Sequence, residues 1–138
     1  MSPDADLPAW SDVRARMQAP KPPLACTGYA IGKDPVRIRY DGRGRFSQQG
    51  TGEAIEGQAW LTSAVEPGRY AGLAAAHGSI TDREVVSGRP TLVAEVVGLR
   101  GGKGTLRVWI DEELGCIVRM ERTDDPAPLV VLDAISVG

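Results

Sequence analysis

The stretch that most limits what this chain can become runs from Gly104 to Arg122, where two runs of alternating residues flank an acidic, glycine-ended turn. Leu106, Val108 and Ile110 alternate with Thr105, Arg107 and Trp109; after Asp111-Glu112-Glu113-Leu114-Gly115, the residues Cys116, Val118 and Met120 alternate with Ile117, Arg119 and Glu121. A period of two sends successive side chains to opposite faces of a sheet, so this predicts a hairpin with one apolar face and one charged face. Acidic residues open the reversal, and Gly115 can take the positive φ that ends it. An apolar face on a strand pair must be covered, so the hairpin predicts part of a curved sheet with something lying in it.

The remaining chain supplies more of the same. A short helix is expected from Pro8 to Gln18, with Trp10, Val13 and Met17 at helical spacing and Pro20, Pro22 and Pro23 ending it. Strands are expected over 24–31, over Val36-Arg37-Ile38-Arg39-Tyr40, over 45–49 around Phe46, and over 54–63 centred on Ala59-Trp60-Leu61. Asp41-Gly42-Arg43-Gly44 is the strongest turn signal. A second short helix is expected over the alanine-rich Tyr70–His77, then strands over 80–87, 90–99 and 129–137 around the hairpin. At 138 residues this is one domain, loose over 1–6 and large enough to bury its own core. Consecutive strands and short turns predict an α+β fold: a curved antiparallel sheet with both helices on its concave side.

Several chemistries find little support. Sixteen basic against eighteen acidic residues leave a net charge of −2, which gives no general attraction to nucleic acid. Arg37, Arg39, Arg43 and Arg45 surround Tyr40 and Phe46, but the alternation puts Tyr40 on the face opposite Arg37 and Arg39, so a solvated outer face is expected. Arg100-Gly101-Gly102-Lys103-Gly104-Thr105 lacks the spacing of a phosphate loop and reads as a glycine turn between strands. Cys26 and Cys116 are the only cysteines and His77 the only histidine, too few ligands for a structural zinc site, and no cofactor is expected. The cysteines read as free buried thiols. No nucleophile motif accompanies His77, and Asp111, Glu112 and Glu113 read as solvated turn carboxylates. No run approaches a membrane span and no export signal opens the chain, so as written it is expected in the cytoplasm, or exported if a leader has been removed.

The second half has a recognisable order: Ser87-Gly88-Arg89-Pro90-Thr91, the apolar run Leu92–Leu99, Leu106-Arg107-Val108-Trp109-Ile110-Asp111, Leu114-Gly115, then Ile117-Val118-Arg119-Met120-Glu121. With Val36-Arg37-Ile38-Arg39-Tyr40-Asp41-Gly42, Arg45-Phe46 and Glu56-Gly57-Gln58-Ala59-Trp60 before it, this resembles the outer-membrane lipoprotein carrier (LolA-like) superfamily. That superfamily includes actinobacterial lipoproteins and envelope-stress sigma-factor regulators. The likeness spans most of 25–138 and is clearest over 79–138. It implies an open half-barrel with helices plugging the concave side, non-catalytic, holding acyl chains or other hydrophobic ligands, or binding a protein partner. Residues 64–79 are short for the helical lid of such proteins.

The functional expectation is therefore a hydrophobic small molecule or lipid held on the concave face. The lining would come from Val36, Ile38, Tyr40, Trp60, Leu106, Val108, Ile110 and Met120. Trp109 falls on the opposite face and would either cover it or mark a partner surface. A protein-interaction or regulatory module with a packed concave face is the alternative. A small β-barrel cyclase-type enzyme, which needs few polar groups, is the third. Cavity volume separates the first two, because ligand pockets run to about 300–1,000 Å³ and a packed core leaves none.

Overall fold

The computed structural model describes residues 7–30, 32, 34–55, 59–69, 77–97, 105–123 and 125–138. Among them are nine strands in one sheet, all neighbours antiparallel. The strands are β1 (Leu24–Ala30), β2 (Val36–Tyr40), β3 (Phe46–Gln48), β4 (Ala54–Ile55), β5 (His77–Val86), β6 (Arg89–Val97), β7 (Leu106–Asp111), β8 (Ile117–Arg122) and β9 (Asp125–Val137). Two helices accompany them, α1 (Trp10–Gln18) and α2 (Ala59–Val65), followed by a 3-10 turn at Pro67–Arg69. The spatial order is β4-β3-β2-β1-β9-β8-β7-β6-β5. Two meanders, β1–β4 and β5–β9, are thus joined where β9 returns to lie beside β1.

One face of this curved, open sheet carries the core. Val13 and Met17 of α1, and Leu61, Ala64 and Val65 of α2, are buried with Leu24, Cys26, Ile38, Tyr40, Phe46, Leu92, Ala94, Val96, Val108, Ile110 and Met120 of the strands. The spacing 13/17 on α1 is that of a helix laying one stripe on the sheet. Gly78 of β5 lets α1 approach, because a Cβ there would lie 2.5 Å from the Trp10 ring. Gly115 has φ 74° as the turn requires, and a Cβ on it would lie 2.5 Å from the Arg16 carbonyl oxygen, so the β7–β8 turn seats the end of α1.

Two expectations change, and two others fall on residues outside those described. The run over 54–63 is not one strand: pairing stops at Ile55, and Ala59–Val65 forms α2. Leu61, Ala64 and Val65 are all buried, the i, i+3, i+4 spacing of a helix stripe, and that pattern outweighed the strand-like Trp60-Leu61 pair. The helix expected over Tyr70–His77 lies outside the described residues except for His77, which opens β5. The turn at 100–104 is also outside them. Finally, the alternation Cys116/Val118/Met120 is broken. Ile110 pairs with Ile117 and Trp109 with Arg119, so Val118 is an extra residue in β8. This bulge turns Val118 to the convex side, where it packs with Val93 and Trp109, and puts Cys116 and Ile117 together in the concave core.

Candidate functional site

The residues expected to line a cleft do converge on the concave side. Val108 sits directly between Ala94 of β6 and Met120 of β8, and Ile110 lies beside Leu92 and Ile117. Ile38, Tyr40, Val108 and Ile110 are each 0% exposed, Met120 is buried, and Val36 and Leu106 are half-buried against the same cluster. The chain's own helices and strands thus cover this floor. The Trp60 side chain lies outside the described residues, although its backbone belongs to α2 and not to a strand.

A polar network that the sequence did not announce stands where the two helices end. Tyr40 donates its hydroxyl hydrogen to Glu66 Oε1 at 2.9 Å, and the Lys21 amide donates to the same oxygen at 3.3 Å. The Gly44 amide donates to the Tyr40 hydroxyl at 3.0 Å, tying in the β2–β3 turn. Lys21 Nζ donates to the carbonyls of Arg16, Met17 and Ala19 at 3.0, 3.0 and 2.5 Å, an ammonium cap on the C-terminus of α1. Burial holds the Lys21 pKa below that of a free lysine, against the attraction of neighbouring anionic groups. Cys116 Sγ donates to the Val65 carbonyl at 3.4 Å. Burial pushes both thiols, Cys26 and Cys116, up to about 12, which makes them inert fillers at neutral pH. The polar groups under the helices are spent on one another and on helix ends.

The convex face is the more open surface. Trp109 is only 7% exposed. It packs with Val93 and Val118, its indole N–H donates to the Glu84 carboxylate, and the Arg119 guanidinium lies 5.6 Å from its ring centroid. Val86 and Ile135 close over this second, small cluster. Trp109 thus covers part of the convex face. Beside it runs an open groove of about 330 Å³, lined among others by Asp82, Glu84, Val93, Glu95, Arg107 and Trp109. Glu95 faces Arg107 at 3.5 Å. At the other end of the same face, Arg37 and Arg39 point into solvent as the alternation required.

Asp111 departs from its expected role as a solvated turn carboxylate. It is fully buried, paired with Arg89, and accepts the amides of Glu113 and Leu114 at 2.9 Å each. These bonds fix the β7–β8 reversal. Glu84 and Glu66 carried no motif; only the register that sets Glu84 near Trp109 and Glu66 beneath Tyr40 gives them partners. No group of three or more potential metal ligands comes together among the described residues.

This architecture, an open curved antiparallel sheet with short helices in its hollow, is the LolA-like fold expected from the residues. Among solved structures the chain is similar to the crystal structure of MucB, with a TM-score of 0.53, 13% identity, and coverage of 93% of this chain and 58% of that one. It is also similar to MucB in complex with MucA(peri), with a TM-score of 0.55, 13% identity, and coverage of 94% and 54%. The Pseudomonas aeruginosa MucA/MucB complex gives a TM-score of 0.55 at 13% identity, covering 94% and 56%. The chain therefore spans little more than half the length of these proteins, and at this identity the likeness is one of fold. No protein-family model matches the sequence. No curated protein matches it either.

Proposed function

We propose that this chain is a protein-interaction module built on a LolA-like sheet, with its concave face serving as core and its other surfaces serving as contact. The observation that carries this reading is the state of the expected cleft: Ile38, Tyr40, Val108 and Ile110 are wholly covered by the protein itself. An acyl chain needs several hundred Å³ of apolar space, and these side chains front none. The fold neighbours point the same way, since two of the MucB structures hold MucA as a protein partner. The kinship with regulators of the envelope-stress type belongs to this proposal. Among the described residues, the polar atoms near the hollow are engaged with one another and with helix ends, which does not favour a cyclase-type reaction.

Native mass spectrometry of protein purified without detergent tests the reading, with a fluorescent fatty acid titrated into the same sample. The expected result is the bare 14.7 kDa chain and no saturable probe binding. A stoichiometric adduct of acyl-chain mass, or saturable binding that the adduct blocks, would return the concave face to the role of a ligand cleft.

A further inference from the structure

The two halves of the convex face treat their arginines differently. Over β6–β8 the register sets acids against them: Arg107 lies between Glu95 of β6 and Glu121 of β8, bridged to Glu95, and Arg119 is bridged to Glu121. Over β1–β3 the register sets small neutral residues against them. Arg39 lies between Ala25 of β1 and Ser47 of β3, and Arg37 lies opposite Thr27 of β1. Both alternate with the buried Ile38 and Tyr40, so both guanidinium groups stand on the convex side, where both residues are exposed. Among the described residues no carboxylate bridges either of them. Asp133, across Thr27 on β9, accepts the Ala134 amide at 2.8 Å and a hydrogen bond from the Ser87 side chain. Asp41, at the end of β2, accepts the amides of Arg43 and Arg45 at 2.6 and 3.0 Å and so fixes the turn.

This arrangement suits carboxylates. A guanidinium offers a planar fork of N–H donors that a carboxylate meets with two bonds at once, and the half-buried hydroxyl-bearing residues Thr27 and Ser47 stand beside the two forks. Residues at alternate positions of a strand are about 7 Å apart, and an extended chain laid along β2 repeats its own side chains at the same interval. Acidic residues two apart in such a chain therefore reach Arg37 and Arg39 together. Nucleic acid fits less well. The aromatics that a single-strand platform needs, Tyr40 and Phe46, are buried on the other face, and a long polyanion crossing the sheet from β2 meets Asp133 and then Glu121 and Glu95. A second copy of the chain is also a poor occupant, because Glu95 and Glu121 of its convex face are already bridged to Arg107 and Arg119.

We propose that the convex face of β1–β3 is a docking surface for an extended acidic segment of a partner protein, with carboxylates at alternate positions seated on Arg37 and Arg39. The exposed Arg43 and Arg45 widen the positive field at the end of β2 and assist encounter. This rests on the interaction-module reading and names the partner chemistry for it.

The test titrates the isotope-labelled whole chain with a peptide of alternating glutamate and threonine, and with the same peptide carrying glutamine for glutamate, reading binding from amide chemical shifts. The glutamate peptide should move the amides around Arg37, Arg39 and Thr27, weaken as salt rises, and bind at least about tenfold more tightly than the glutamine peptide or an oligothymidine of equal length. Arg37→Glu/Arg39→Glu should remove that preference. Arg107→Glu/Arg122→Glu changes the net charge equally elsewhere on the sheet and should leave affinity within about twofold. The same spectra report whether each variant is folded. Equal binding of the two peptides, no binding of either, tighter binding of the oligothymidine, an equal loss in both variants, or shifts confined to other strands would each overturn the docking surface. None of these results touches the interaction module itself, whose failure would be seen separately as an acyl adduct in the native mass spectrum.

Discussion

Val108→Trp separates a packed hollow from an open one. Val108 is 0% exposed and lies between Ala94 and Met120 on adjacent strands, with the sheet behind it and the helices in front. An indole placed there meets Ala94 and Met120 on either side and buried helix residues in front, so it must displace Met120 or lift a helix. Overfilling a close-packed site costs about 1–3 kcal/mol. For a chain of this size that corresponds to a fall in melting temperature of roughly 4–12 °C. The measurement is thermal melting by circular dichroism, paired with fatty-acid titration of both proteins. A variant that melts with the wild type would show that room for an indole exists beside Val108. The loss of acyl binding in such a variant would refute the packed-core argument outright.

Trp109→Phe keeps the apolar cluster but deletes the N–H that Glu84 accepts, and should cost about 1–2 kcal/mol in urea unfolding; no loss would mean that water replaces the bond without penalty. Asp111→Ala leaves Arg89 and two turn amides without their acceptor, and should cost about 3 kcal/mol, with a larger effect than removal of the exposed Glu113. Stability should fall at alkaline pH. The thiols of Cys26 and Cys116 have folded values near 12 against an ordinary 9.0, so above pH 9 the unfolded chain releases protons that the folded one keeps, and the two-thiol slope approaches about 2.7 kcal/mol per pH unit. Lys21, lowered by burial, acts in the opposite sense between its folded value and 10.5, so it softens the early part of the decline. Guanidinium unfolding at stepped pH, compared with the Cys26→Ala/Cys116→Ala variant, checks this; an equal alkaline decline in that variant would place its origin elsewhere.

The strands were legible wherever one face is buried and the other wet. Val36–Tyr40 alternates because water and core impose opposite demands on neighbouring residues, and that demand is written into composition. The helix over Ala59–Val65 was misread because its buried stripe, Leu61, Ala64 and Val65, is short and two of its members are small or β-branched. The bulge at Val118 was hidden for another reason: Cys116, Ile117 and Val118 are all apolar, so either face could claim any of them, and only the partner strand decides. Glu84 and Glu66 were invisible because their meaning depends on pairing across strands and on helix packing, which no local pattern encodes. Val36, Ile38, Tyr40, Leu106, Val108, Ile110 and Met120 do share the hollow, but periodicity says which side chains share a hollow and not whether the hollow is empty.

The placement of β9 between β1 and β8 governs when the molecule can exist at all. Leu24 pairs with Val137, so the seam of the sheet is closed by residues from opposite ends of the described chain. Each meander can collapse as it leaves the ribosome, since its pairings are between neighbours in sequence. Until β9 emerges, however, β1 and β8 stand as two bare flanks, each a template for foreign strands. Of all the pairings in the sheet, β1 with β9 closes the longest loop and so carries the largest chain-entropy cost. A chain lacking β9 has only the two helices in the hollow to hold its half-sheets together.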